Sequence, residues 1–129
     1  MNQIILDSSV WIEYFRHSDS KISTEVDKLI DLGNIYTNEL ILTEIIPFLK
    51  LKKQFQLIQI MESIECFDMS IDWLQIKEMQ FINLKNGINK IGIPDLLILQ
   101  NTLQNQCSLF TLDKHFKLMS KFHKIHLYN

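Results

Sequence analysis

The chain has 129 residues, 47% of them hydrophobic, and a formal net charge of −2. That length suits one domain with one core, and the overall charge does not advertise a nucleic-acid partner. No apolar run approaches the roughly 20 residues of a membrane span, and the N-terminus lacks the basic start and long apolar core of a signal peptide, so a cytosolic, non-membrane protein is expected.

The aliphatics Ile4-Ile5-Leu6 run without a polar break and end on Asp7, a pattern that suits a central strand buried on both faces. Asp7 then stands at the strand's carboxyl end, the edge at which open α/β sheets bind ligands. A turn residue or the N-cap of the next helix would equally place an acid there. A helix is expected to begin over Val10 to Phe15 and to break at Asp19-Ser20. Ile22, Val26, Leu29 and Ile30 recur at helical spacing, with Gly33 as C-cap. Ile35-Tyr36-Thr37 is a short second strand. Thr37 or Asn38 can cap the helix that follows, which carries Ile41, Glu44, Ile45 and Phe48 on one side. Pro47 is expected to kink that helix or end it early.

Lys52 to Glu65 forms a third helical pattern, with Leu57, Ile58, Met61 and Ile64 on one face. Cys66 to Met69 suits a short strand, and Ser70 is expected to cap a long helix reaching Gly87. An irregular loop from Ile88 to Pro94 precedes a helix opened by Asp95, running from Leu96 to Leu103 and ending at Asn105. Ser108 to Thr111 is a buried strand, Asp113 falls just past it, and a short helical turn runs through Phe116. Ile125 to Tyr128 suits an edge strand. Strands alternating with helices predict a mostly parallel sheet with helices on both faces, an α/β fold.

Charge and cysteine follow the chain unevenly. Residues 1–78 carry 7 basic and 13 acidic side chains, whereas residues 79–129 carry six lysines and two acids. A positive C-terminal segment suits a phosphate backbone, and solvated helix surface suits it too. Cys66 and Cys107 lack metal-ligand spacing and sit in apolar runs, which reads as two buried free thiols of a reducing compartment. His17, His115, His123 and His126 have no triad partner at convincing spacing and read as surface histidines.

Four acids stand out by position. Asp7 and Asp113 end strands, Glu44 lies in the helix after the second strand, and Asp95 opens a helix behind a loop. In a parallel sheet all carboxyl ends share one edge, so Asp7 and Asp113 should meet there, with Glu44 and Asp95 leaning over from helix starts. Four carboxylates in one pocket repel strongly unless a cation is present. Oxygen ligands without Cys or His suit Mg²⁺ or Mn²⁺, which assist displacement at phosphorus. Each acid also has a plainer role: a cap, a first-turn acid favoured by the helix dipole, or a solvent-facing residue.

Leu6-Asp7-Ser8-Ser9-Val10-Trp11-Ile12 resembles the opening of PIN-domain proteins, and Thr43-Glu44-Ile45 their second acidic position. Ile91-Gly92-Ile93-Pro94-Asp95-Leu96-Leu97-Ile98 resembles the third, and Leu109-Phe110-Thr111-Leu112-Asp113-Lys114-His115-Phe116 the fourth. The layout is most similar to the VapC-type toxins of bacterial toxin–antitoxin pairs. The resemblance implies a three-layer α/β/α domain over residues 1–129 and a Mg²⁺- or Mn²⁺-dependent endoribonuclease acting on structured RNA such as tRNA. It implies Asp7, Glu44, Asp95 and Asp113 as metal-holding and catalytic residues, a homodimer, and a cognate antitoxin. Thr111 matches a hydroxyl that supports the acidic pocket, and Ser9 is assigned the same support. Lys85, Lys90, Lys114 and Lys117 are candidates for the RNA backbone. An antitoxin's amphipathic helix is expected in a groove between the helices Ile22 to Ile30 and Ile41 to Phe48.

Two departures from the family are visible. Leu99, Gln100, Asn101 and Thr102 stand where relatives usually carry small alanines, and this chain contains no alanine. His115 stands where many relatives have another acid, as spectator, metal ligand or RNA contact. Two further classes fit the acids. An aspartyl-phosphate phosphotransferase would use Asp7 as nucleophile, but that chemistry commonly wants a second Asp two residues on, where Ser9 stands. A non-catalytic receiver-like or scaffold domain would use the acids as caps alone. No GxGxxG or GxxxxGK[ST] stretch supports a dinucleotide or P-loop site.

Overall fold

In the computed structural model, which describes residues 2–129, five short strands pair in parallel throughout. They are β1 (Ile4–Leu6), β2 (Ile35–Thr37), β3 (Glu65–Cys66), β4 (Ser108–Phe110) and β5 (His126–Leu127), in the spatial order β3-β2-β1-β4-β5. β1 takes the centre because Ile4, Ile5 and Leu6 are all buried, which only a strand covered on both faces allows. Its register sets Ile5 between Tyr36 and Leu109.

Seven helices fill the crossovers among the described residues. α1 (Ser8–Arg16) and α2 (Ser20–Leu32) join β1 to β2, and α3 (Glu39–Leu51) and α4 (Phe55–Ser63) join β2 to β3. α5 (Trp73–Lys85) and α6 (Ile93–Gln104) carry the chain back to β4, and α7 (Lys114–Met119) leads to β5. Parallel crossovers are right-handed. Stepping outward from β1 to β3 therefore lays α1 to α4 on one face, and stepping back to β4 and β5 lays α5 to α7 on the other. The helix pairs in contact, α1 with α2 and α3, α3 with α4, and α5 with α6, obey that division. The result is a three-layer α/β/α arrangement whose step direction reverses between β1 and β4. At such a reversal the following helices depart to opposite faces and leave a crevice at the strands' carboxyl ends. No helix among the described residues is long and apolar enough to cross a membrane.

Several local expectations need correction. Pro47 neither ends nor shortens α3, which runs on to Leu51. The buried positions Ile41, Leu42, Ile45 and Leu49 flank the proline, and their packing outweighs one lost backbone hydrogen bond. Glu44, Ile45 and Phe48 do share one side of α3, where they line one groove, and Phe48 is 56% exposed there. The pattern from Lys52 to Glu65 is interrupted by Lys53 at φ 56°, so α4 starts only at Phe55. β3 is Glu65–Cys66, and it leaves Cys66 exposed on an edge strand instead of buried; Cys107 is buried as expected.

Asp72, not Ser70, caps α5, its carboxylate accepting from the Gln75 N–H at 3.2 Å. The start is set from a distance, because buried Gln100 receives the Asp72 N–H at 3.1 Å and donates to the Asp72 carbonyl at 3.0 Å. α5 ends at Lys85, two residues before Gly87, which adopts φ 74°. α6 begins at Ile93, inside the expected loop, with Pro94 in its first turn, where a missing N–H costs nothing. β4 is one residue shorter than expected. His123 is buried, not superficial, and its Nε2 lies 2.8 Å from the Asn83 side-chain oxygen.

Candidate active site

The four acids arrive on four different elements. Asp7 extends the ladder one residue beyond β1, its N–H donating to the Phe110 carbonyl at 3.1 Å. Its side chain turns back as the N-cap of α1 and accepts from the Val10 N–H at 3.2 Å. Only 4% of Asp7 is exposed. The Ser9 hydroxyl donates to its Oδ1 at 2.5 Å, and the Thr111 hydroxyl donates to its Oδ2. The Leu112 N–H donates to Ser9 Oγ at 2.9 Å, which fixes that hydroxyl in turn.

Asp113 caps α7, and its Oδ1 accepts the His115 N–H at 2.9 Å. Its own N–H donates to Thr111 Oγ1 at 3.0 Å. Asp95 lies half-buried in the first turn of α6, behind Pro94. Glu44 projects from the second turn of α3 and accepts from Ser8 Oγ at 2.6 Å. Capping and clustering are thus the same arrangement for Asp7 and Asp113: the cap geometry aims each carboxylate at the crevice.

Burial raises the Asp7 carboxyl above its usual range; the hydrogen bonds from Ser9, Thr111 and Val10 oppose this, and the charge of Asp113 adds to it. Asp95 is raised first by burial and then by the charge of Asp113, with His115 opposing and Glu44 and Asp7 adding. Asp7 and Asp95 therefore both feel the charge of Asp113. Among the described residues no lysine or arginine pairs with any of the four, and His115, with Nδ1 3.3 Å from Asp113 Oδ1, is their one ion-pair partner.

The donor set fits a small divalent cation. Carboxylate oxygens are hard ligands, and mutual repulsion among acids with no lysine or arginine partner is the deficit a cation relieves. One ligand atom each from Asp95, Asp113 and His115 lies within 4.8 Å of the other two.

Sequence reasoning missed three features. Ser8 was unassigned, although it adjoins Asp7 and helix geometry turns its hydroxyl toward α3. Asn38 and Asn101 form a buried pair, the Asn38 amide donating to Asn101 Oδ1 at 2.9 Å and the Asn101 amide to the Asp68 carbonyl at 3.0 Å. That pair ties the start of α3 to α6; its only sequence signal was a run of polar residues where the helix should be apolar. The third is the approach of Asp95 to the Asp113–His115 pair, which no spacing in the sequence signals. The candidate lysines Lys85, Lys90, Lys114 and Lys117 are all exposed.

A doubly wound parallel sheet with acids at its reversal point defines a class of α/β domain, and the sequence narrows it. The family model of the PIN domain matches residues 4–121, and the chain belongs to that family. No curated protein sequence matches it. Solved structures share its fold, two of them as follows. VapBC2 from Rickettsia felis, bound to a DNA fragment from its promoter, superposes with a TM-score of 0.77 at 19% identity, covering 98% of this chain and 97% of that one. FitAcB from Neisseria gonorrhoeae gives a TM-score of 0.73, again at 19% identity and with the same coverage.

Proposed function

We propose that the protein is a metal-dependent endoribonuclease of the VapC type, the toxin of a toxin–antitoxin pair, acting on structured RNA of the tRNA class. What supports this reading is a PIN fold in which Asp95 feels the charges of Asp113, Glu44 and Asp7 at the sheet's reversal point, with His115 as the one ion-pair partner of these acids among the described residues. Asp7, Asp95 and Asp113 would hold the cation, with Glu44 completing the acidic wall. Mg²⁺ or Mn²⁺ bound there supplies positive charge to the phosphoryl oxygens and acidity to water. The chain's own residues do the rest. Ser9 and Thr111 hold the Asp7 carboxylate in one orientation, and Ser8 holds Glu44. An unprotonated carboxylate at this edge takes the proton of the attacking water. Lys114 and Lys117 on α7, with Lys85 and Lys90, would meet the RNA backbone. Two unlinked cysteines accord with a reducing, cytoplasmic compartment.

An antitoxin partner belongs to the same reading. A groove of about 520 Å³ lies between α1, α3 and α4, walled by Ile12, Phe15, Ile45, Phe48 and Leu57, with Glu44 also in its lining. It is displaced from the expected position, because α2 turns Val26 and Leu29 into the core instead. An amphipathic helix seated in it would reach the acids through Glu44. The VapBC2 complex is a fold neighbour, which favours a partner of that kind. A homodimer completes the proposal, and the exposed Leu74, Phe81 and Leu84 on α5 offer apolar surface for it.

Incubation of the protein with tRNA and with unstructured RNA, with Mn²⁺, with Mg²⁺ and with excess EDTA, tests the function. Cleavage that needs the cation and is abolished by EDTA is expected. Cleavage unaffected by EDTA, or none with either RNA, overturns the reading.

A further inference from the structure

We propose that His115 supplies a nitrogen ligand to the cation of this site and makes the protein select Mn²⁺ over Mg²⁺, an inference that rests on the metal-dependent reading above. The geometry comes from α7. With Asp113 as N-cap and the His115 N–H bonded to Asp113 Oδ1 at 2.9 Å, the first turn is closed over the carboxylate. The imidazole is thereby folded back beside its own capping residue, Nδ1 standing 3.3 Å from the same oxygen. The ring is partly exposed, 41% of the side chain being accessible, so an ion can reach it from solvent.

A histidine–aspartate pair alone would account for that one distance. It does not account for Asp95, which comes from a different helix and brings a third ligand atom within 4.8 Å of both. Donor atoms sharing a small octahedral cation at about 2.0–2.1 Å lie about 3 Å apart when adjacent and about 4 Å apart when opposite. The histidine–aspartate pair at 3.3 Å matches adjacent ligands, and all three atoms lie within 4.8 Å of one another, so closing them on one ion needs a shift of under about 1 Å.

The consequence lies in ligand chemistry. Mg²⁺ dehydrates reluctantly and is held through oxygen, whereas affinity for nitrogen donors rises through the first-row series from Mn²⁺ upward. An all-carboxylate site is indifferent to that difference. One imidazole in the shell tilts it toward the transition ion. His115 is therefore a specificity-determining ligand, distinct from the four acids that give the site its charge.

Pulsed electron paramagnetic resonance of the full chain loaded with Mn²⁺ alone tests this without any variant. A directly bound imidazole is expected to give ¹⁴N modulation of the Mn²⁺ signal, and His115→Gln should abolish it. Calorimetric titration with Mn²⁺ and with Mg²⁺ provides a second readout. His115→Asp, which makes the shell all oxygen, should lower the Mn²⁺/Mg²⁺ affinity ratio about tenfold, the order of affinity that loss of even an outer partner of a metal ligand costs. Mn²⁺ that binds with no ¹⁴N modulation, or a ratio unchanged by His115→Asp, overturns the role of His115 and leaves the metal-dependent reading standing. No binding of either ion to the wild type overturns both.

Discussion

The Thr111 hydroxyl donates to Oδ2 of Asp7, and its own Oγ1 accepts the Asp113 N–H at 3.0 Å. One side chain on the end of β4 thus clamps the acids that follow β1 and β4, across the point where the sheet's winding reverses. The hydrogen bond also favours the charged form of Asp7 against the burial that opposes it.

Thr111→Val keeps the shape and removes the clamp. It leaves a buried carboxylate and a backbone N–H each one partner short, which costs about 1–3 kcal/mol. Urea melts should show a lower midpoint at unchanged slope, and Mn²⁺ titration a weaker affinity. A variant with wild-type stability and wild-type affinity would show that the hydroxyl positions nothing.

Much of this frame was legible in the chain. The unbroken aliphatics of β1 suited a strand covered on both faces, and the positions of Asp7 and Asp113 followed from where strands end. Boundaries set by local chemistry were legible too, such as Gly33 at φ 71° closing α2 and Asn38 capping α3. What failed depended on partners far away in sequence. Ser70 has good capping chemistry, but Gln100, 28 residues beyond Asp72, holds the start of α5 elsewhere. The run around Cys66 looked buried because an edge strand and a central one have similar composition. His123 looked superficial because its partner Asn83 lies 40 residues away.

The groove gives a prediction about partners. Phe48 is 56% exposed, so Phe48→Asp should change the stability of the isolated protein by no more than about 0.5 kcal/mol, as surface substitutions usually do. It places a charge in the apolar wall and beside Glu44, so it should weaken binding of a cognate antitoxin at least tenfold. Co-purification with the product of the adjacent small gene, wild type against variant, checks this. Equal retention of the partner by both proteins would put its docking surface elsewhere.

His123 gives a prediction about pH. Burial lowers its pKa below the usual 6.5, so the unfolded chain binds this proton more readily than the folded one. The sign follows: the contribution to stability is full above about pH 6.5 and is lost as pH falls through the lower folded value. The Asn83 side-chain oxygen, 2.8 Å from Nε2, serves the neutral ring as an acceptor. His123→Gln cannot titrate, so its melting temperature should fall less than that of the wild type between pH 7 and pH 5. Parallel curves for both proteins over that range would remove His123 as a source of acid lability.

Asp95 separates the two physical roles an acid can have at the start of a helix. In the first turn of α6 its charge is favoured by the helix dipole, by about 0.3–1 kcal/mol at an exposed site. Here the carboxyl is raised by burial first and then by Asp113, with Glu44 and Asp7 adding, so the surroundings penalise the charge on balance. A carboxyl raised in the folded state contributes stability below its unfolded pKa and loses it as pH rises through the folded value. At neutral pH the metal-free protein therefore carries a penalty that Asp95→Asn removes while keeping the side chain's shape. The variant's metal-free melting temperature should equal or exceed that of the wild type at pH 7, and the advantage should shrink toward pH 4. Mn²⁺ should then stabilise the wild type more than the variant, because a ligand stabilises only in proportion to its binding to the folded state. RNA cleavage by the variant should be lost. If the acid is only a dipole partner, all three results invert: the variant melts lower without metal, responds to Mn²⁺ as the wild type does, and still cuts RNA.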